Sequence, residues 1–302
     1  VAFFGSPAWA VPVAKALAEQ HEVVLVVTQP DKPAGRGLQL KACPVAEFAK
    51  ARELRLEQPK KLRGNAGFLA ECAALNPDVA ITAAYGKILP PDLLALPRFG
   101  FLNLHPSDLP RYRGPAPVQW TLINGDAATA VCIMQTDAGM DTGPIVARWQ
   151  TPVGANETAV ELSGRLRDKG IELLLDALKR LETLSPAPQP AQGSHAPMLE
   201  KDDGKIVWNR TALAIYNRHR GVQPWPGSWC EHGGKRLKVL QMNMAQGSGP
   251  AGQIVAVDSG VMVGTAAGLV ELIEVQPESK KPMAASNWAR GHGVKLGDYF
   301  QG

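Results

Sequence analysis

This chain is short of the residues that mark many kinds of chemistry. Its 302 residues hold four cysteines, at 43, 72, 132 and 230, with no C-x-x-C pair and no metal-ligand spacing. Isolated thiols of this kind fit a reduced, cytoplasmic compartment and give no zinc or other metal site to expect. No apolar run approaches the roughly 20 residues that span a bilayer. The opening Val1-Ala-Phe-Phe4 lacks the basic flank and length of a secretory leader. A soluble protein without a membrane partner is therefore expected, and the missing initial Met is expected if the chain begins inside its first strand. The G-x-G-x-x-G fingerprint of dinucleotide binding is absent: Gly5-Ser-Pro-Ala8 is a strand-to-helix turn able to offer N–H groups to an anion, but without the spaced glycines. Neither sign of charge dominates. The excess of +4, from 32 Lys/Arg against 28 Asp/Glu, is compatible with a polyanionic partner and requires none.

What is present is alternation. Short apolar runs at Val1 to Phe4, Val23 to Thr28, Val79 to Ala83 and Phe101 to Leu104 read as buried strands. Between them, Trp9, Val13 and Leu17, then Val45 and Ala49, then Phe68, Cys72 and Leu75 fall at helical spacing. Alternation of this kind predicts an α/β fold: a mostly parallel, Rossmann-like sheet with helices on both faces. Ala130 to Gln135 and Pro144 to Trp149 add two strands, and a helix is predicted from about Glu157 to Leu184. The Pro-rich run 185–196 reads as a semi-extended linker. It separates a catalytic domain, 1–184, from a C-terminal domain, 197–302, whose short helix and closely spaced strands predict an OB-like β-barrel.

Chemistry concentrates in two segments. Phe101-Leu-Asn-Leu-His-Pro-Ser-Asp-Leu-Pro-Arg-Tyr-Arg-Gly114 puts Asn103 and His105 two apart on a strand, so both side chains leave one face. Asp137-Ala-Gly-Met-Asp-Thr-Gly143 supplies Asp141 from a Gly-punctuated loop. An amide, an imidazole and a carboxylate at the carboxyl ends of strands, where such sheets bind ligands, read as an acyl-transfer site that carries no nucleophile of its own. The stretch from Thr28 to Pro44 is long for a strand-to-helix connection, where about 2 to 6 residues is usual. It carries Lys32, Arg36 and Lys41 among glycines and prolines, either as a solvated loop or as a hinged basic arm for a phosphodiester backbone.

These segments, with Gly5-Ser-Pro7, Thr28-Gln-Pro-Asp-Lys-Pro-Ala-Gly-Arg-Gly37, Ala84-Tyr-Gly-Lys-Ile-Leu-Pro90 and Pro224-Trp-Pro-Gly227, resemble the 10-formyltetrahydrofolate-dependent formyltransferase family. Within it they resemble the methionyl-tRNA formyltransferase branch, in order along nearly the whole chain. The resemblance implies that Asn103, His105 and Asp141 are catalytic, and that the formyl donor is 10-formyltetrahydrofolate. It implies a folate cleft walled by Lys87, Ile88, Leu89, Ser107, Asp108, Leu109, Pro110 and Asp137, with Ser107 and Pro110 also credible as plain turn residues. The acceptor it implies is initiator methionyl-tRNA, for translation initiation, with the amine as nucleophile. One departure stands out: the family usually has Ser-Leu-Leu-Pro where this chain has Ser107-Asp-Leu-Pro110, so Asp108 brings an extra carboxylate toward the cleft.

Residues 197–302 hold 12 Lys/Arg and 9 Asp/Glu, a mild basic excess that fits modest, salt-sensitive tRNA binding. Lys32, Arg36, Lys41, Arg218, Arg220, Lys235, Arg236, Lys238, Lys280 and Lys281 are the expected tRNA contacts, each also readable as a surface charge. Trp208, Trp225 and Trp229 are expected in core or interdomain packing. Two rivals share the scaffold: a sugar-amine formyltransferase, which has no need of Arg36, and a catalytically silent RNA- or folate-binding protein. A monomer is expected.

Overall fold

The structure, a computed structural model, describes residues 1–34 and 39–301. Arg36 lies outside the described residues. In chain order the first elements are β1 (Ala2–Gly5), α1 (Val11–Gln20), β2 (Leu25–Val27), β3 (Lys32–Ala34), β4 (Gln39–Lys41), α2 (Pro44–Ala51), β5 (Leu56–Glu57) and α3 (Ala66–Leu75). Then come β6 (Ala80–Ala83), α4 (Pro91–Leu94), β7 (Phe101–His105), α5 (Pro117–Ile123), β8 (Ala128–Gln135), β9 (Ile145–Pro152) and α6 (Ala159–Leu178). The rest is α7 (Ala212–Gly221), β10 (Ser228–His232), β11 (Lys235–Ala245), β12 (Ile254–Val257), β13 (Val261–Gly264), β14 (Leu269–Pro277), β15 (Met283–Ala284) and α8 (Ala285–Gly291).

The chain divides into two compact units. The first takes in Val1–Pro117, Ala128–Pro152 and Ser163–Pro197; the second takes in Val118–Ala127, Val153–Leu162 and Met198–Gly302. Residues 185–197 therefore pack with the first unit, while 118–127 and 153–162 pack with the second.

In the first unit a seven-stranded sheet runs β5-β2-β1-β6-β7-β8-β9. The strands from β5 to β7 are parallel, and β8 and β9 are antiparallel. Every residue of β1, β2 and β6 is buried, as expected of strands covered on both faces. The predicted helical stripes turn inward: Val13 and Leu17 on α1, Val45 and Ala49 on α2, Phe68 and Cys72 on α3. Asn65 caps α3 by accepting the N–H of Phe68 at 3.2 Å. In α6, Leu166 and Leu174 are buried, and Gly170 faces β7 and β8 so closely that a Cβ would lie 2.9 Å from Leu104 and Val131. The helix ends at Leu178, short of the expected Leu184, where a 3₁₀ turn takes over. The short hairpin β3–β4 and the two-residue β5 carry too little apolar pattern to be read from the sequence.

The second unit is built on an antiparallel sheet of order β10-β11-β14-β13-β12, with β15 pairing β14, consistent with an OB-like domain. Its core holds Trp208, Leu237, Val239, Met242, Val261, Val263, Leu272, Val275, Trp288 and Phe300. Along β11, Leu237 and Val239 point inward on the period of 2, and the shift to Met242 coincides with register irregularities between Val239 and Met242. Thr211 caps α7 by accepting the N–H of Ala214. Among the described residues, no helix is long and apolar enough to cross a membrane.

Candidate active site

Strand β7 delivers both Asn103 and His105 to the carboxyl edge of the first unit's sheet, opposite Met134 and Cys132 of β8. His105 is only 4% exposed. Its Nε2 lies 3.0 Å from the Tyr112 carbonyl. A carbonyl can only accept, so Nε2 carries the hydrogen there. Nδ1 is then the ring nitrogen left for exchange, and it faces Asp141 Oδ2 at 3.6 Å. Asp141 sits in the turn between β8 and β9 with φ of +53°, a left-handed conformation that Asp tolerates better than most residues. Its Oδ2 accepts the Gly114 N–H at 2.8 Å, and its Oδ1 accepts from Asn103 Nδ2 at 3.4 Å. Amide, imidazole and carboxylate, far apart in sequence, meet at one place.

The loop after β7 closes on this site. Ser107 is fully buried and donates through Oγ to the Arg111 carbonyl at 2.7 Å, so it shapes the turn. Gly114 could not carry a Cβ, which would meet the Ala196 carbonyl and the His195 ring at 2.8 Å. Tyr112 and Gly114 are thus site residues that sequence reasoning passed over. The Arg-Tyr-Arg-Gly run was visible, but not which of its main-chain groups the site would use.

The expected folate wall needs correction in places. Leu109 packs wholly inside a cluster with Cys132 and Met134, so its side chain is core. Asp108 turns toward β9: its Oδ1 pairs with Arg148 at 3.3 Å, off hydrogen-bonding geometry, and its Oδ2 accepts from Gln150 Nε2 at 3.3 Å. Arg148 also donates to the Leu109 carbonyl. The extra carboxylate is thus held beside a guanidinium. Asp137 accepts from the Gly139 N–H and from Thr142 Oγ1, closing the loop that presents Asp141. The Lys87 ammonium donates to the carbonyls of Pro59 and Lys60 at 2.8 and 3.1 Å. Burial, then the charge of Lys32, holds its pKa below the usual lysine value. Leu89 is buried, whereas Ile88 is 74% exposed. Pro110 is half-buried, and its carbonyl accepts the Ser194 N–H at 3.2 Å.

Of the expected tRNA contacts, Lys32 and Lys41 are exposed and directly opposed in the β3–β4 hairpin. In the second unit, Arg236, Lys238 and Lys280 line a groove of about 290 Å³, and Lys235 and Lys281 are exposed. The Arg236 guanidinium lies 3.6 Å from the centre of the Trp229 ring. Arg218 donates to the Asp203 carbonyl at 2.9 Å and remains partly exposed. Arg220 is a correction. It is 6% exposed and donates to the carbonyls of Gly154 and Glu157 and to Asn217 Oδ1, so it braces the second unit from within and has no face for a phosphate. Trp208 and Trp229 are buried, but Trp225 is 54% exposed.

Residues 1–178 match the formyl transferase family and residues 198–293 the formyl transferase C-terminal domain. A methionyl-tRNA formyltransferase of Thermus thermophilus is 53% identical over 98% of this chain and 97% of its own length. One from Deinococcus radiodurans is 51% identical over 99% and 95%. Among solved structures, the N-formyltransferase of Helicobacter canadensis, in complex with folinic acid and dTDP-3-aminofucose, has a TM-score of 0.69. It is 17% identical and matches over 91% of this chain and 98% of its own, a likeness of fold. The chain belongs to the formyl transferase family, alongside the methionyl-tRNA formyltransferases that it matches over nearly all of its 302 residues.

Proposed function

We propose that this enzyme transfers the formyl group of 10-formyltetrahydrofolate to the α-amine of initiator methionyl-tRNA, giving the formylated aminoacyl-tRNA used to begin translation. The observation that carries the reading is the convergence of Asn103, His105 and Asp141 on one side of the β7 terminus. The relatives' names support the acceptor, and the folinic acid bound by the Helicobacter canadensis enzyme supports a reduced-folate donor.

The acceptor amine forms a bond to the formyl carbon while the carbonyl π electrons move onto oxygen. The Asn103 amide N–H and a proton on His105 Nδ1 are the donors for that oxyanion, and losing one such donor typically costs about 10²- to 10³-fold in rate. Collapse breaks the bond from carbon to N10, and the proton lost by the amine ends on N10. His105 Nδ1 takes that proton from the amine and returns it to N10, with the Asp141 carboxylate facing Nδ1 to stabilise the ring while it carries the extra charge. The Tyr112 carbonyl keeps Nε2 out of the exchange and fixes the ring plane.

Lys32, Lys41 and Arg36 of the 28–44 loop, with the groove of Arg236, Lys238 and Lys280, are the proposed tRNA backbone contacts. Lys87, Ile88, Leu89 and the main chain of 107–110 and 137–141 form the proposed folate wall. The test mixes purified protein with 10-formyltetrahydrofolate and charged initiator tRNA and measures N-formylmethionine released by base. Formylation that is lost in His105→Ala is expected. Absence of product from the parent protein rejects the reading.

A further inference from the structure

The Pro-rich run 185–196 has the composition of a linker, yet inside the first unit it is stitched to both loops of the site. Ala187 exchanges its N–H and carbonyl with Ile145 at 2.8 and 2.7 Å. Ser194 Oγ accepts the Tyr112 N–H at 2.9 Å, and the Ser194 carbonyl accepts the Arg113 N–H at 2.9 Å. Between these anchors, Gln189 Nε2 donates to the carbonyls of Asp141 at 3.0 Å and Gly143 at 2.6 Å. Its Oε1 accepts from Arg113 Nε at 3.2 Å and Nη2 at 3.0 Å. The two ends of this amide cannot be exchanged, because carbonyls only accept and a guanidinium only donates. All four hydrogen-bonding positions of the side chain are filled, a degree of commitment unusual for a glutamine in a proline-rich surface stretch.

We infer that Gln189 is a positioning residue for formyl transfer, acting through Asp141. The inference rests on the reaction proposed above. The Asp141 main chain is left-handed, and its carboxylate must meet Gly114, Asn103 and His105 at once. One amide draws the carbonyls at 141 and 143 toward Arg113, which belongs to the same loop as Gly114. Gln189 thus ties the loop that offers the carboxylate to the loop that offers its N–H anchor. Without that tie the turn can slide. A displacement of about 1 Å at a catalytic group can cost on the order of 10²-fold in rate.

Gln189→Glu isolates the donor half of the amide. It keeps the length and the acceptor for Arg113, and it sets an oxygen against the carbonyls of Asp141 and Gly143. Turnover and KM for both substrates are measured in the parent, Gln189→Glu, Gln189→Ala, Asp141→Asn, and Gln189→Glu combined with Asp141→Asn, with thermal unfolding of each. The expected result is a fall in kcat on the order of 10²-fold in Gln189→Glu, with both KM values within about threefold and cooperative unfolding retained. Added to Asp141→Asn, the same change is expected to cost nothing further, because the residue it acts through has already been altered. Should Gln189→Ala fail to fold, the Glu variant carries the test alone. A kcat in Gln189→Glu within about twofold of the parent, a loss confined to KM, or an equal loss in both backgrounds overturns the inference. A parent protein that transfers no formyl group removes the reaction itself, and the role of Gln189 with it.

Discussion

Asp108 shows how one side chain can be redirected by its neighbours. From sequence it is an extra carboxylate in a loop that borders the proposed folate wall; in the fold it lies against Arg148 and Gln150 of β9. The pair is partly exposed, and such pairs are worth up to about 1 kcal/mol. Asp108→Leu is therefore expected to change the unfolding free energy, measured by urea titration, by no more than that and to leave the folate KM unchanged. A severalfold fall in that KM would show that the carboxylate faces the ligand.

His219 makes the opposite case, a titratable group with no part in the chemistry. It is buried in the second unit, its Nδ1 lies 2.9 Å from Ser228 Oγ, and burial pushes its pKa from 6.5 down to about 4. The unfolded chain therefore takes up the proton first. Its contribution to stability is complete above pH 6.5 and is lost as pH falls toward 4, by on the order of 3 kcal/mol. His219→Gln is expected to show a correspondingly shallower loss of unfolding free energy between pH 7 and 4.5, measured by urea titration at each pH. Equal slopes for the two proteins would contradict this.

At the scale of elements, α6 sets local propensity against packing. In an open helix, replacing Gly by Ala gains about 1 kcal/mol. At Gly170 the added methyl would press on Leu104 and Val131 at 2.9 Å, and overpacking costs about 1–3 kcal/mol. Gly170→Ala is thus expected to lower the denaturant midpoint. Gly164→Ala in the same helix, with nothing within 4 Å of the new methyl, is expected to raise it. Both changes moving in the same direction would mean that α6 does not pack as described.

Which elements could be read from the sequence follows from the range of the forces that form them. Buried strands such as β1 and β6 announce themselves as apolar runs, and the spacing of Asn103 and His105 on β7 is a period-2 pattern that needs no partner to be seen. Asp141 was visible because glycines flank it. Gln189 was not, because its role exists only through carbonyls at 141 and 143 and a guanidinium at 113. Arg220 was misread for a related reason: nothing in its local sequence reveals that the carbonyls of Gly154 and Glu157 receive it. Composition marks proline-rich stretches as connectors whether or not their few polar side chains are bound.

For the molecule as a whole, what counts as a unit matters more than where the Pro-rich run lies. The second unit consists of 118–127, 153–162 and 198–302. Helix α7 holds these pieces together: Arg220 grips residues 154 and 157, Tyr216 donates to Asn156 Oδ1 at 3.1 Å, and Gly221 lies against Ile123 and Gln119. A fragment ending at residue 197 would keep 118–127 and 153–162 with their packing partners removed. It is expected to bind a dye for exposed apolar surface and to unfold below the full chain. A fragment 1–197 as stable as the 302-residue chain would contradict the division.

The interleaving of those three stretches has an evolutionary reach. A module appended by one splice can be traded between genes by a single crossover, but a body whose scaffold is braced by two excursions from the preceding region cannot. Recombination at the Pro-rich run would bring in α7 and its antiparallel sheet without the excursions that fit them. Change in the second unit is then easiest by local substitution on its surface, with the braces at 118–127 and 153–162 inherited together with it.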